Sequence, residues 1–320
     1  MSRREIKLPE NFSHPQFGII LDQEKDILKG AISGPSEVIF DLSGTNYVSN
    51  LGLLLIAQFG DRLAKFDCQC KFRYGEPINE SLMARFIGMM GLVDRKLDKD
   101  FVAYLDTIRV SVHRCFNGDE SLKAVNKLMP VVKAKFEPTE EVLKALNWAL
   151  WEIVDNAGGH GYGGFSGQEM SYLIPVYFCA VARKDEIDIS ILDCGCGIQN
   201  SLTSSGKPEY RNISNAEALA LAIKDETSGH PAGSPGFGLY GCAEIARDAN
   251  GQLTILSGSR KLLLSGKELT VETSPHYQGT MVSLKVPKSA SINLKRIFGN
   301  KSTIAEESFE DQIGEYNEPN

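Results

Sequence analysis

The chain has 320 residues, 42% hydrophobic and 23% charged. That length suits two domains, and that balance excludes wholesale disorder. The formal charge is −7, of which residues 301–320 hold −5 through six acids and one base; the near-neutral remainder has no basic stripe of the kind nucleic acid requires. The longest apolar run, near Leu51–Phe59, is about half of what a bilayer crossing needs, so no membrane span is expected. No apolar stretch follows the first arginines, so no secretory signal is expected. The seven cysteines are therefore read as reduced thiols of a cytoplasmic protein.

In chain order, Val38–Asp41 predicts a short strand and Ser43-Gly44-Thr45-Asn46 a turn. A helix follows through Leu51, Leu54, Leu55 and Leu63, with Asn50 as candidate cap. Lys71–Tyr74 predicts a strand and Glu80–Met90 a helix, the alternation of a small α/β domain. The pattern restarts near residue 105. Ile108, Val110 and Val112 alternate as a half-buried strand that continues into His113. Asp119–Lys135 predicts a helix. Thr139 caps the next one, whose Val142, Leu143, Leu146, Leu150, Ile153 and Val154 form one apolar stripe. Val176–Arg183 and Glu186–Leu192 predict two strands joined at Lys184-Asp185. Leu239–Ala249 predicts a helix stopped by Asn250-Gly251, followed by strands at Leu253–Leu256, Leu269–Glu272 and Thr280–Val286. With a boundary at 95–105, the units are residues 1–100, residues 105–290 and an acidic tail at 291–320.

Three separated motifs in the second unit carry chemistry. In Glu152-Ile153-Val154-Asp155-Asn156-Ala157, helical spacing puts Glu152 and Asn156 on one face. The carboxylate can take a proton from water, and the carboxamide oxygen suits Mg²⁺. His160-Gly161 follows. In Asp193-Cys194-Gly195-Cys196-Gly197-Ile198, an acid at a strand end precedes two glycines. The backbone there can approach a flat ligand, and the acid can accept from an exocyclic amine. In Gly233-Ser234-Pro235-Gly236-Phe237-Gly238-Leu239-Tyr240-Gly241, a glycine loop opens a helix, a setting that favours phosphate. It lacks the lysine of a P-loop and does not follow a strand as a Rossmann fingerprint does. Read singly, the first motif is equally an ordinary solvated helix face, and the second a glycine-rich turn.

The order and spacing of the three, closed by Gly279-Thr280 on a late strand, resembles the GHKL ATPase superfamily over residues 105–288. The resemblance implies an α/β sandwich, a bent mixed sheet with helices on one face, holding ATP and Mg²⁺. By resemblance Glu152 is the general base and Asn156 the Mg²⁺ ligand. Asp193 meets the adenine amine, with Gly195 and Gly197 beside the base. Gly236 and Gly238 line the phosphates under a mobile lid, Gln199–Pro235. Thr280 touches the adenine side through water, and His160 stands near the phosphates.

The run Val38-Ile39-Phe40-Asp41-Leu42-Ser43-Gly44 to Gly52-Leu53 resembles a STAS-like domain, the small α/β fold of anti-sigma-factor antagonists. In that family an Asp-Ser pair precedes the glycine, and its serine is phosphorylated. Here the pair is Ser49-Asn50, and asparagine cannot take phosphate. Ser49 is read as a helix cap in preference to a modified residue.

Cys68-Gln69-Cys70 and Cys194-Gly195-Cys196, with one residue between their cysteines, are too closely spaced for a zinc pair, which has about two to four residues in between. Trp148 and Trp151 are read as packing. None of the five histidines lies on a helical hairpin ahead of the ATPase motifs, which argues against a sensor histidine kinase. The expected function is an ATP–Mg²⁺ regulatory switch with slow hydrolysis, acting on a protein partner through the STAS-like unit. A protein serine/threonine kinase of the anti-sigma type and a nucleotide-inert scaffold are the alternatives, and a homodimer is left open.

Overall fold

A computed structural model describes residues 2–32, 36–75, 113–115, 118–160, 176–225, 227 and 238–298. Near the N-terminus, β1 (Ser2–Lys7), β3 (Ser36–Leu42) and β5 (Gln69–Tyr74) form a parallel sheet of order β1-β3-β5. Period-two alternation sorts its faces. Val38, Phe40 and Leu42 enter the core, and Phe40 stacks on its register partner Phe72. Glu37 and Asp41 point the other way and pair with Arg3, Lys71 and Arg73. A two-stranded parallel pair, β2 (Asn11–Phe12) with β4 (Tyr47–Val48), and two helices, α1 (Gly18–Ile32) and α2 (Asn50–Ala64), are the other described elements here.

Ser49 caps α2, its Oγ accepting from Gly52 N–H at 3.1 Å. Asn50 is not the cap; it is the first helical residue and is buried. Every residue of α2 from Asn50 to Gly60 is buried. A helix apolar on all sides must be covered on all sides. One side of α2 meets the N-terminal sheet. The other meets a second sheet.

That sheet contains β6 (His113–Cys115), β7 (Val176–Ala182), β8 (Glu186–Asp193), β9 (Gln252–Ser265) and β10 (Glu268–Pro287), in the order β6-β7-β8-β10-β9. Each described pair in it is antiparallel. The α/β chain thus mixes pairing types between its sheets: parallel in the first, antiparallel in the second. On one face Phe178, Ala180, Ile187, Ile189, Ile191, Ile255 and Val282 pack against α3 (Gly118–Phe136), α4 (Glu140–His160) and α7 (Gly238–Asp248). On the other, Tyr177, Cys179, Leu192, Leu256, Tyr277 and Met281 join Phe12, Leu54, Phe59 and their neighbours in one apolar cluster. The N-terminal unit therefore shares its core with the back of the second sheet. β7 has apolar partners on both faces, which is why all seven of its residues are buried.

Several elements depart from expectation. Leu269–Glu272 and Thr280–Val286 are parts of one strand, β10, whose pairing with β9 shifts register between Thr273 and Tyr277 and again before Thr280. Ser274-Pro275-His276 lies in the first shift; Pro275 has no N–H for a ladder, and this is what hides the continuity in the sequence. β1, α1 and α5 (Ile198–Ser204) had no sequence signal strong enough to place them. α3 carries Pro130, exposed on its solvent face. Residues 199–225 of the predicted lid are described. α5, a short turn at Pro208–Tyr210 and α6 (Asn215–Ala222) are built into the core through Leu202, Tyr210, Ala218, Leu219 and Ala222. Most of 226–235 lies outside the described residues. Glu80–Met90, Ile108–Val112, the boundary at 95–105 and the acidic residues 301–320 also lie outside them. A short helix, α8 (Leu294–Phe298), ends the described chain. No described helix is long and apolar enough to cross a membrane.

Candidate functional site

Ile187, Ile189 and Ile191 face the helices, so alternation puts Asp193, at the end of β8, on the same side. Leu192 packs on the opposite side, with Cys194 against the same cluster. Asp193 and Thr280 are register partners across β8 and β10. Asp193 Oδ1 accepts from Gly195 N–H at 2.8 Å and Thr280 N–H at 3.3 Å. Burial pushes this carboxyl up to about 6, while those two N–H groups pull the other way. Gly195 thus fixes the carboxylate with its backbone.

The loop after Asp193 is stapled to β10. Gly197 has φ +77° and Gly279 φ +112°, conformations that favour glycine. Ser257 Oγ, buried on β9, donates to Gly279 O at 2.8 Å and accepts from Ile198 N–H at 3.0 Å. A Cβ on Gly197 would stand 2.8 Å from that Oγ, and one on Gly279 would run into the Asp193 carbonyl. Sequence reasoning missed Ser257; a lone serine among apolar strand residues gives no signal of its partners.

α4 starts at Thr139, whose Oγ1 accepts from Val142 N–H at 3.4 Å, and its predicted stripe is buried throughout. One turn apart on it, Glu152 and Asn156 meet the first residue of α7. A Cβ on Gly238 would collide with Asn156 Nδ2 and lie 3.2 Å from Glu152 Oε2. Two motifs over eighty residues apart in sequence therefore touch. Burial pushes the Glu152 carboxyl up to about 7, and the Asp155 charge adds in the same direction. Cys242, one turn along α7, is buried, and its thiol is held protonated first by burial and then by the Glu152 charge. Trp151 Nε1, beside Glu152 in sequence, is buried with no hydrogen-bond partner among the described residues. The His160 side chain and Gly236 lie outside the described residues.

Chemically, one part offers a fixed, buried acceptor at a strand end. The other offers a carboxyl poised near neutrality beside a carboxamide and a helix N-terminus. Among the described residues no group of three or more His, Cys, Asp and Glu is arranged to hold a metal. A hard ion held by one carboxamide and a ligand's own oxygens needs no such group. Comparison with protein-family models and with curated proteins gives no match for this chain.

Proposed function

We propose that the chain is an ATP- and Mg²⁺-binding regulatory switch of the GHKL type with slow ATP hydrolysis, its STAS-like N-terminal unit facing a protein partner in the cytoplasm. The observation that supports this is the close approach of Gly238 to both Glu152 and Asn156, on the sheet face that also carries Asp193. Asp193, fixed by two backbone N–H groups, accepts from the adenine amine. Asn156 would hold Mg²⁺ through its carboxamide oxygen, and the bound ion would supply positive charge beside the phosphates. Gly238, at the N-terminus of α7, gives the phosphates N–H groups and a favourable helix dipole. Glu152, with its carboxyl raised to about 7, takes a proton from the attacking water.

The test is Mg²⁺-dependent release of phosphate from ATP by the full chain and its loss in Glu152→Gln. Radiolabel found on a protein hydroxyl instead of in free phosphate would favour the kinase alternative. Absence of any ATP binding by calorimetry would end the proposal.

A further inference from the structure

The Asp193 carboxylate is held on the helix side of the sheet by Gly195 and Thr280. Its backbone is held from the other side, by groups a nucleotide in the proposed site would not touch. Tyr277, buried on β10, donates its hydroxyl to the Asp193 carbonyl at 2.6 Å. Cys194 follows Asp193 and packs against the cluster behind the sheet, where its Sγ accepts from Gln58 Nε2 at 2.9 Å. Tyr277 Oη lies 4.0 Å from the same sulfur. The peptide joining Asp193 to Cys194 is planar and stiff. Clamped at its carbonyl by Tyr277 and at the next side chain by Gln58, it fixes where β8 ends.

Gln58 belongs to α2 of the N-terminal unit and is 2% exposed. Its Oε1 is buried with no hydrogen-bond partner among the described residues. An apolar side chain of the same length would fill the space without leaving a carbonyl unpaired. What the amide adds is the bond to Cys194. Arg62, one turn further along α2, is close enough for its charge to act on the Cys194 thiol, and it pairs with Glu24 of α1. The hydrogen bond that reaches from α2 to the residue after the carboxylate is the one from Gln58.

We propose that Gln58 and Tyr277 are positioning residues for the Asp193 carboxylate, so that the N-terminal unit sets the purine preference of the nucleotide site. This rests on the function proposed above. A partner that displaces α2 changes that preference without reaching the nucleotide.

The experiment titrates ATP and inosine triphosphate, which has a carbonyl where adenine has its amine, into the full chain by calorimetry. Wild type binds ATP more tightly. In the volume-conserving variants Gln58→Met and Tyr277→Phe the ratio of the two affinities falls ~10-fold, the worth of one charge-assisted hydrogen bond, mainly through loss of ATP affinity. Cys194→Ala, which removes the acceptor, does the same, while Cys194→Ser keeps an acceptor and keeps the ratio. A role in general stability alone would lower both affinities together and leave the ratio unchanged in every variant, which overturns the proposal. If wild type shows no preference and Asp193→Asn changes nothing, the adenine assignment fails with it. If Asp193→Asn abolishes a clear preference that Gln58→Met and Tyr277→Phe retain, the positioning role alone fails.

Discussion

Asp193 and Thr280 face each other across β8 and β10, and the Thr280 N–H donates to the Asp193 carboxylate at 3.3 Å. The strand pairing itself thus sets the direction of the acid. Asp193→Asn keeps an acceptor oxygen for Gly195 and Thr280, so the fold is expected to survive. The variant loses a charge-assisted bond to the proposed adenine amine, worth roughly 1.5–3 kcal/mol, or about ten- to a hundredfold in ATP affinity. Calorimetry checks it; unchanged affinity would mean that the base lies elsewhere.

Glu152 gives a pH signature. Its folded carboxyl is raised from 4.5 to about 7, so the folded chain binds this proton more tightly than the unfolded chain does. Stability from this group is present at low pH and is lost as pH rises from about 4.5 to about 7. Turnover by the general base runs the opposite way, rising through about pH 7 as the carboxylate forms. Glu152→Gln removes both limbs: its melting temperature at pH 8 exceeds that of the wild type, and its turnover is abolished. Thermal melts and phosphate release across pH 5–9 measure the two limbs, and an unchanged turnover profile in the variant would remove Glu152 from the chemistry.

Gly238→Ala separates packing from function. The added Cβ meets the end of the Asn156 side chain, which can turn away, and alanine favours the helix over glycine by about 1 kcal/mol. Stability therefore changes by no more than ~1 kcal/mol, while Mg²⁺-dependent ATP affinity falls ~10-fold. In the double variant with Asn156→Ala the two affinity losses do not add, because both act through one carboxamide. Additive losses would mean that the added methyl group does not act through Asn156.

Gly279→Ala and Gly206→Ala form a controlled pair. Both glycines have positive φ, +112° and +77°. A Cβ on Gly279 would strike the Asp193 carbonyl, whereas one on Gly206 meets nothing within 4 Å among the described residues. Urea unfolding should show a loss of about 1 kcal/mol for Gly206→Ala, from backbone strain alone, and more than about 3 kcal/mol for Gly279→Ala. Equal losses would mean that the close approach of β10 to the Asp193 loop is not rigid.

The sequence alone carried the elements whose signal is local. The α4 stripe, the Thr139 cap, the alternating isoleucines of β8 and the helix stop at Asn250, with φ +50°, are all patterns within one element. So are the residue types of the candidate site, because a carboxylate one helical turn from a carboxamide is legible without a partner. The run Leu51–Phe59 was equally visible, but its meaning was not. It was too short for a bilayer, and only the fold shows it covered on two sides, by the N-terminal sheet and by the back of the second sheet. Which glycine touches Asn156, which serine staples Gly279, and that Gln58 reaches Cys194 across 136 residues were decided by tertiary structure. Periodicity tells which face of an element is buried but not what buries it. Those contacts arise where separate faces meet, and they depend on strand order and register, which no single segment encodes.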